Sequence, residues 1–259
     1  MEMLLTVLAA GYGGLTGLLV PRAAYRLSVG PEERWHADCP EGHPVTGPAY
    51  GWLGLARCAA PDHGQSPAAT GPRTGAPWYG RGRIGAPIVL AVVCGALAAA
   101  VGGRPELAVW LLIAPFAVVL AMVDGAVHRL PDVLTLPLAA AAVVLLGVAA
   151  LLPGHAGSWT GALLGGLALT AFYFLLFLIH PNGMGFGDVK LALSLGALLG
   201  WYGWTVLVAG AFAGLLLGSV YGVGLILLRG KGRKTAMPFG PFMIGGALLG
   251  LLLGGLVTA

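Results

Sequence analysis

The fold is decided by an apolar run that leads directly into an acidic residue. Residues 107–132 read LAVWLLIAPFAVVLAMVDGAVHRLPD, in which an uncharged stretch over 107–123 is followed at once by Asp124. A helix needs roughly 20 apolar residues to cross the hydrocarbon core of a bilayer. This stretch therefore predicts a transmembrane helix with a carboxylate close to its end.

The composition of the whole chain points to the same class of protein. Of the 259 residues, 58% are hydrophobic and 9% are charged, and the mean hydropathy is +0.87. Soluble domains carry about 25% charged residues. We therefore predict an all-α, polytopic transmembrane helix bundle. The net charge of +4 is explained by basic loops at the membrane surface, so we expect no nucleic-acid partner.

Apolar segments of sufficient length occur along most of the chain, and we predict about eight spans from them. The shortest is the Gly-rich sixth span, and its separation from the seventh rests on the sequence WYGWTV at 201–206. The predicted spans lie near 3–20, 84–101, 107–123, 133–152, 158–179, 189–203, 205–228 and 236–257.

The basic residues predict an orientation, because cytoplasmic loops carry an excess of Lys and Arg. When the odd-numbered loops are assigned to the cytoplasm, every Lys and Arg except Arg104 falls at that side. This assignment places both termini outside and puts Asp124 and Asp188 at the cytoplasmic face.

The first cytoplasmic loop divides the chain into three parts: a first span at 1–20, the loop at 21–83 and a transmembrane domain at 84–259. The loop is rich in Pro and Gly and has no sustained helical periodicity, so we expect no compact fold in it. Its half at 64–77, GQSPAATGPRTGAP, has the composition of a flexible linker.

Asp124 and Asp188 are the candidate catalytic residues. Asp188 lies in NGMGFGDVKLA, residues 182–192, where an apolar run begins. A carboxylate at membrane depth is costly, so it normally faces protein or water and marks a functional site. Two neighbouring carboxyl groups share a proton, so that one acts as base on a water while the other donates to the scissile carbonyl.

The glycines that alternate over 183–187 favour this interpretation of Asp188. Glycine lets the backbone approach a ligand closely and adopt conformations that other residues avoid. The alternative is that Asp188 caps a helix beginning at Val189 and is neutralised by Lys190. Asp132, which precedes the fourth span, is interpreted as a capping or substrate-facing residue rather than as the second catalytic acid.

Three stretches carry a resemblance to a known family. They are MVDGAVHRLPDVLTLPL at 122–138, GMGFGDVKLALSLGALLGW at 183–201 and MPFGPFMIGGA at 237–247. Together they resemble the bacterial prepilin peptidases, the type IV leader peptidase family of GxGD-type intramembrane aspartic proteases. The resemblance covers roughly residues 107–250.

The resemblance implies an activity and a set of site residues. Asp124 and Asp188 would be the catalytic aspartates, and Gly185 and Gly187 the GxGD glycines. We place these glycines, with Asp132 and Lys190, in the substrate-binding part of the site. The family removes the leader peptide from type IV prepilins and pseudopilins at the cytoplasmic membrane face, in pilus assembly and protein secretion. Proteolysis would then need no cofactor, and the partners would be the precursor and the bilayer.

The N-terminal third departs from the family pattern, in which many members carry two CxxC pairs linked to N-methylation of the product. Here Cys39 and Cys58 lack their partner cysteines, which argues against methyltransferase activity and against S-adenosylmethionine as a cofactor. Zinc stays open as a ligand, because His43 and His63 could complete a Cys2His2 site with loose spacings. The alternative is that these residues are remnants of the family's cysteine loop.

Two other functions remain open from the residues alone. A proton-coupled membrane transporter could use Asp124 and Asp188 as a relay, although such a protein would place its acids at staggered depths and show internal repeats. A non-catalytic membrane assembly factor could retain the motifs for packing.

Overall fold

The computed structural model describes residues 2–30, 32–58, 78–181, 183–229 and 237–258. Over these residues the protein consists of helices, with two isolated β-bridges and no strand. The predicted all-α fold class is confirmed. The helices are α1 Glu2–Gly17, α2 Val20–Leu27, α3 Pro48–Gly51, α4 Gly85–Val101, α5 Glu106–Val127, α6 Asp132–Ala150, α7 Trp159–Ile179, α8 Phe186–Gly200, α9 Trp204–Arg229 and α10 Gly240–Val257.

Five of these helices are long and apolar enough to cross a membrane, namely α5, α6, α7, the part of α9 up to Leu225, and α10. Helices α1 and α2 make a sixth if they form one broken span, since they meet at a 41° bend. The predicted continuous span at 3–20 is therefore interrupted, because α1 ends at Gly17. A multi-pass membrane protein follows, while the count of eight spans stays a prediction.

The short helix α8 lies inside the bundle. It packs against α6, α7, α9 and α10, and 11 of its 15 residues are buried, Asp188 among them. A short turn at 201–203 separates α8 from α9, as the sequence WYGWTV predicts. Gly203 in that turn has a φ of 103°, a value that favours glycine.

The end of α5 meets the beginnings of two other helices. Its last turn contains Asp124, and the helix stops at His128, which has a left-handed φ of 54° and donates its backbone N–H to the Asp124 carbonyl oxygen. Helix α5 packs against α4, α6 and α10. The candidate site forms where this last turn lies beside the first turns of α8 and α10.

The expectation of no compact fold in the loop 21–83 is wrong for the residues that the structure describes. Cys39, Ala56, Cys58 and Tyr79 form a small buried core, and the Arg26 guanidinium lies 4.1 Å from the centre of the Trp52 ring. These contacts join residues that are distant in the sequence, so helical periodicity does not predict them. The predicted linker at 64–77 lies outside the described residues.

Candidate active site

Asp124 is buried at the end of α5, with 4% of its surface exposed. Its Oδ2 accepts a hydrogen bond of 2.8 Å from the backbone N–H of Gly240. Gly240 is the first residue of α10, and the N–H groups of a first helical turn have no partner within their own helix. The start of α10 therefore provides a fixed donor for the Asp124 carboxylate.

Asp188 is buried in the first turn of α8, with 6% of its surface exposed. The helix begins at Phe186, with Gly185 as the residue before it. Asp188 therefore does not cap a helix starting at Val189, and that alternative is wrong. A carboxylate in the first turn of a helix is stabilised by the helix dipole.

The structure brings the two candidate catalytic residues together. The carboxyl groups of Asp124 and Asp188 interact electrostatically, although 63 intervening positions separate them in the chain. Both carboxyl groups are buried, so bulk solvent does not screen the interaction between them. A buried pair of this kind can hold one proton between two carboxyl groups and has the composition required for acid–base catalysis.

The alternating glycines differ in what they permit. Neither Gly185 nor Gly187 has a positive φ, so a conformation reserved for glycine does not account for them. Gly187 instead allows a close approach, because a Cβ at this position would lie 2.9 Å from the Leu130 Cβ. At Gly185 a Cβ would make an ordinary contact of 3.6 Å with Oδ2 of Asp188.

Lys190 and Asp132 pair with each other rather than with the catalytic candidates. The Lys190 Nζ lies 2.7 Å from Oδ2 of Asp132, with side-chain exposures of 23% and 59% respectively. The idea that Lys190 neutralises Asp188 is therefore wrong. Asp132 opens α6, so the pair ties the start of α6 to the first half of α8.

Two groups at the site were not predicted. The PFGPF segment at 238–242 belongs to the family resemblance, but the role of the Gly240 N–H depends on where α10 begins and cannot be predicted from the motif. Tyr173 of α7 is 1% exposed, interacts electrostatically with Asp188, and has its ring centre 6.0 Å from that of Phe239. A tyrosine within an apolar helix normally indicates core packing, so no sequence pattern distinguishes Tyr173 from a core residue.

An apolar cavity of about 580 Å³ reaches the last turn of α5 and the first turn of α10. Its walls come from α4, α5, α8 and α10, and its lining includes Gly125 and Pro241. These two residues directly follow Asp124 and Gly240 in the chain. The cavity therefore extends from the apolar middle of the bundle to the backbone that holds the Asp124 carboxylate.

The cytoplasmic loop contains a separate cluster of metal-ligand side chains. The ligand atoms of Cys39, His43 and Cys58 all lie within 4.8 Å of one another, and the Cys39 Sγ is 3.7 Å from the His43 Nδ1. Two thiols and an imidazole suit tetrahedral Zn²⁺, so these residues fit a zinc ion that lacks one further ligand. His63, the fourth predicted ligand, lies outside the described residues.

The two thiols of this cluster differ in acidity. Burial alone would raise the pKa of the Cys39 thiol, but hydrogen bonds from Cys58 and from the backbone of Glu41 and His43 lower that pKa to about 7. Burial, reinforced by the neighbouring Cys39, raises the pKa of Cys58 to about 11. Thiolate is the form that binds metals, so a thiol pair whose first proton is lost near neutral pH suits a metal ion.

Comparison with known proteins finds similarity over the part of the chain that contains Asp124 and Asp188. The model of the type IV leader peptidase family matches residues 111–226. Among relatives named prepilin leader peptidase/N-methyltransferase, that of Pseudomonas aeruginosa is 34% identical over 164 residues, 60% of this chain and 51% of the relative. That of Dichelobacter nodosus is 39% identical over 139 residues, 52% and 43% of the two chains.

A third relative with that name, from Aeromonas salmonicida, is 35% identical over 150 residues, 58% of this chain and 48% of the relative. The chain spans about half the length of the curated relatives it matches. No solved structure matches it. Residues 111–226, which include Asp124 and Asp188, are therefore similar to the type IV leader peptidase family.

Proposed function

We propose that this protein is an intramembrane aspartic endopeptidase that removes the leader peptide from type IV prepilin or pseudopilin precursors. The observation that carries the proposal is the buried electrostatic pair formed by Asp124 and Asp188. The family match over the same residues supports it. The protein would act in the bacterial cytoplasmic membrane, with its termini outside and its site at the cytoplasmic face.

The two carboxyl groups take different roles in this proposal. A hydrogen bond donated to a carboxylate favours its ionised form, and Asp124 accepts one from Gly240. Asp124 therefore removes a proton from water, whose oxygen attacks the scissile carbonyl carbon while protonated Asp188 gives its proton to the carbonyl oxygen. When the tetrahedral intermediate collapses, the C–N bond breaks and the leaving amine takes the proton that Asp124 holds. One hydroxyl of the intermediate returns a proton to Asp188 as its oxygen re-forms the carbonyl.

The apolar cavity is the proposed position of the precursor's membrane segment. On α5 the small residues Ala117, Ala121 and Gly125 line it at four-residue spacing, and small residues let transmembrane helices approach closely. Because the cavity ends beside Asp124, a helix lying in it would present the chain at its cytoplasmic end to the carboxylate pair. The basic leader would then remain in the cytoplasm.

The other predicted site residues have proposed roles at the entrance. Gly185 and Gly187 would let the extended backbone of the precursor approach the pair. Asp132 keeps 59% of its side chain exposed even while bound to Lys190, so it can meet a positive charge on the leader. The ion pair would also hold the first turn of α8 in position.

We further propose that Cys39, His43 and Cys58 hold a zinc ion that stabilises the cytoplasmic loop rather than assisting hydrolysis. The clustering of the three ligand atoms within 4.8 Å favours this over unconnected remnants. We do not extend the methyltransferase activity in the relatives' names to this chain, because the paired cysteines linked to that activity are reduced here to single residues.

Replacement of each catalytic candidate tests the proposed function. The purified protein in detergent would be incubated with a prepilin, and the new N-terminus determined by mass spectrometry. Asp124→Asn and Asp188→Asn should each lower the cleavage rate on the order of 10²–10⁴-fold. Glu2→Gln, the same chemical change at an exposed residue, should leave the rate unchanged. Cleavage retained in both Asn variants, at normal protein levels, would rule out the carboxylate pair.

The pH dependence and an ion-flux assay separate this function from a transporter. A coupled pair that acts as base and acid gives a bell-shaped pH–rate profile, and a profile with a single limb would count against it. In proteoliposomes we expect no proton flux above that of the Asp188→Asn variant. Flux that depends on both aspartates, without cleavage, would favour the transporter.

A further inference from the structure

Helices α7 and α8 run antiparallel and touch through glycines. A Cβ on Gly161 would lie 2.7 Å from the Gly200 carbonyl oxygen, and a Cβ on Gly165 would lie 2.6 Å from that of Gly196. Real Cβ atoms are not found this close to a carbonyl oxygen. The glycines therefore set an unusually small separation between the two helices.

The same contacts fix the register between the two helices. Gly161 of α7 faces Gly200 of α8. Gly165, four residues later in α7, faces Gly196, which is four residues earlier in α8. Residues four apart share a helix face. Two further steps of four bring Tyr173 of α7 opposite Asp188 of α8.

The surroundings of Tyr173 agree with this register. Tyr173 is 1% exposed and interacts electrostatically with Asp188. Its ring also packs against that of Phe239, at a centroid distance of 6.0 Å. Phe239 directly precedes Gly240, whose N–H binds Asp124. Tyr173 thus lies between the first turn of α8, which carries Asp188, and the start of α10, which binds Asp124.

The donors around the pair are not equally available. The Gly240 N–H already binds Asp124, and the Lys190 ammonium already binds Asp132. An ionised carboxylate offers acceptors only, and a protonated one adds a single donor. The described residues supply no protein hydrogen-bond partner for the Tyr173 hydroxyl. This hydroxyl is therefore available to donate a hydrogen bond to a bound molecule.

We propose that the Tyr173 hydroxyl donates a hydrogen bond to the scissile carbonyl oxygen of the substrate while partial negative charge develops on it, before the transfer of the Asp188 proton to that oxygen is complete. This inference rests on the proposed peptidase function and adds a third catalytic residue to the pair. A donor held in place within a site shielded from water stabilises developing charge more than it stabilises the neutral carbonyl. Tyr173 therefore accelerates the chemical step and contributes little to substrate binding.

The decisive variant is Tyr173→Phe, which removes the hydroxyl and keeps the ring that packs against Phe239. We expect kcat for prepilin cleavage to fall on the order of 10²–10³-fold, with KM within about twofold of the wild type. Tyr202→Phe is the matched control, since Tyr202 is a largely buried tyrosine just beyond the opposite end of α8, where its hydroxyl accepts a hydrogen bond from Trp110. It should retain the wild-type kcat.

Several outcomes would overturn the assignment. A Tyr173→Phe variant with kcat within about threefold of the wild type would show a packing role alone. A higher KM with unchanged kcat would show substrate binding rather than stabilisation of the transition state. If Tyr173→Phe accumulates poorly, 2,3-difluorotyrosine incorporated at position 173 keeps the ring volume and strengthens the donor, and an unchanged kcat would then refute the proposal.

The same assay separates this inference from the peptidase function. If Asp124→Asn and Asp188→Asn abolish cleavage while Tyr173→Phe does not reduce it, the carboxylate pair stands and the role of Tyr173 falls. If Asp124→Asn and Asp188→Asn both retain cleavage, the carboxylate pair on which this inference rests fails as well.

Discussion

The backbone N–H of Gly240 donates a hydrogen bond of 2.8 Å to Oδ2 of Asp124, and so joins the start of α10 to the end of α5. The contact is close, because a Cβ on Gly240 would lie only 2.9 Å from that same oxygen. Gly240 therefore combines two properties that the site needs: a free donor and the absence of a side chain.

Gly240→Ala should displace the Asp124 carboxylate without changing any ionisable group. A displacement of about 1 Å can cost a catalytic site 10²-fold in rate, so we expect kcat to fall about 10- to 100-fold. Leader cleavage followed by mass spectrometry measures this effect. Gly11→Ala, in a helix where a Cβ would meet nothing within 4 Å, is the control. Equal activity of the two variants would show that the contact does not position Asp124.

The two glycines of the GxGD motif should respond differently to alanine. At Gly187 the new Cβ would meet the Leu130 Cβ at 2.9 Å, whereas at Gly185 the nearest contact is 3.6 Å. Overpacking costs typically about 1–3 kcal/mol. Gly187→Ala should therefore lower the thermal midpoint in detergent clearly more than Gly185→Ala does. A larger loss for Gly185→Ala would mean that the first turn of α8 is packed differently.

The sequence predicted the carboxylate pair because membrane-depth acids are rare and their surroundings are apolar. Asp124 and Asp188 are predictable for that reason. Helices α5 and α8 also begin and end close to the limits that the apolar runs predict. Register between helices is not encoded in hydropathy, so neither the Tyr173–Asp188 contact nor the pairing of Lys190 with Asp132 could be read from the chain.

The cytoplasmic loop shows a different limit of sequence analysis. Its small core is built from Cys39, Cys58 and Tyr79, with arginines stacked on tryptophans. Hydrophobic periodicity is the main signal for secondary structure, and such a core has none. The cysteine and histidine spacing was the one available signal for order in this segment.

Asp132 should affect substrate binding rather than the chemical step. An exposed charge pair contributes about 0–1 kcal/mol, which corresponds to at most roughly a fivefold change in KM. Asp132→Asn should therefore raise the KM for a precursor with a basic leader about two- to fivefold, with unchanged kcat. Steady-state kinetics at low ionic strength would measure this.

The control for Asp132→Asn is a precursor whose leader lysines and arginines are replaced by glutamine. With that substrate, the wild type and the variant should have the same KM, since no charge remains to be recognised. A higher KM for both substrates would instead indicate that loss of the ion pair with Lys190 has disturbed the first turn of α8.

Metal removal should affect the cytoplasmic loop and spare the peptidase chemistry. The protein purified with zinc should contain about one equivalent, and Cys39→Ser should lose most of it, because Cys39, His43 and Cys58 supply the ligand atoms. Treatment with a strong chelator should make Cys39 and Cys58 reactive towards a maleimide and increase proteolysis of the loop. Cys94→Ser is the control, because Cys94 is buried in α4, away from the cluster, and should leave the zinc content unchanged.

Leader cleavage by the metal-free protein decides what the metal does. A carboxylate pair activates water without a metal, so at least half of the wild-type kcat should remain after chelation. Structural zinc sites contribute to folding rather than to bond cleavage, and the expected loss is therefore in thermal stability. If cleavage is abolished by the chelator and restored by added zinc, while the bundle remains folded, the metal takes part in hydrolysis and the assignment of Asp124 and Asp188 as the sufficient catalytic groups is wrong.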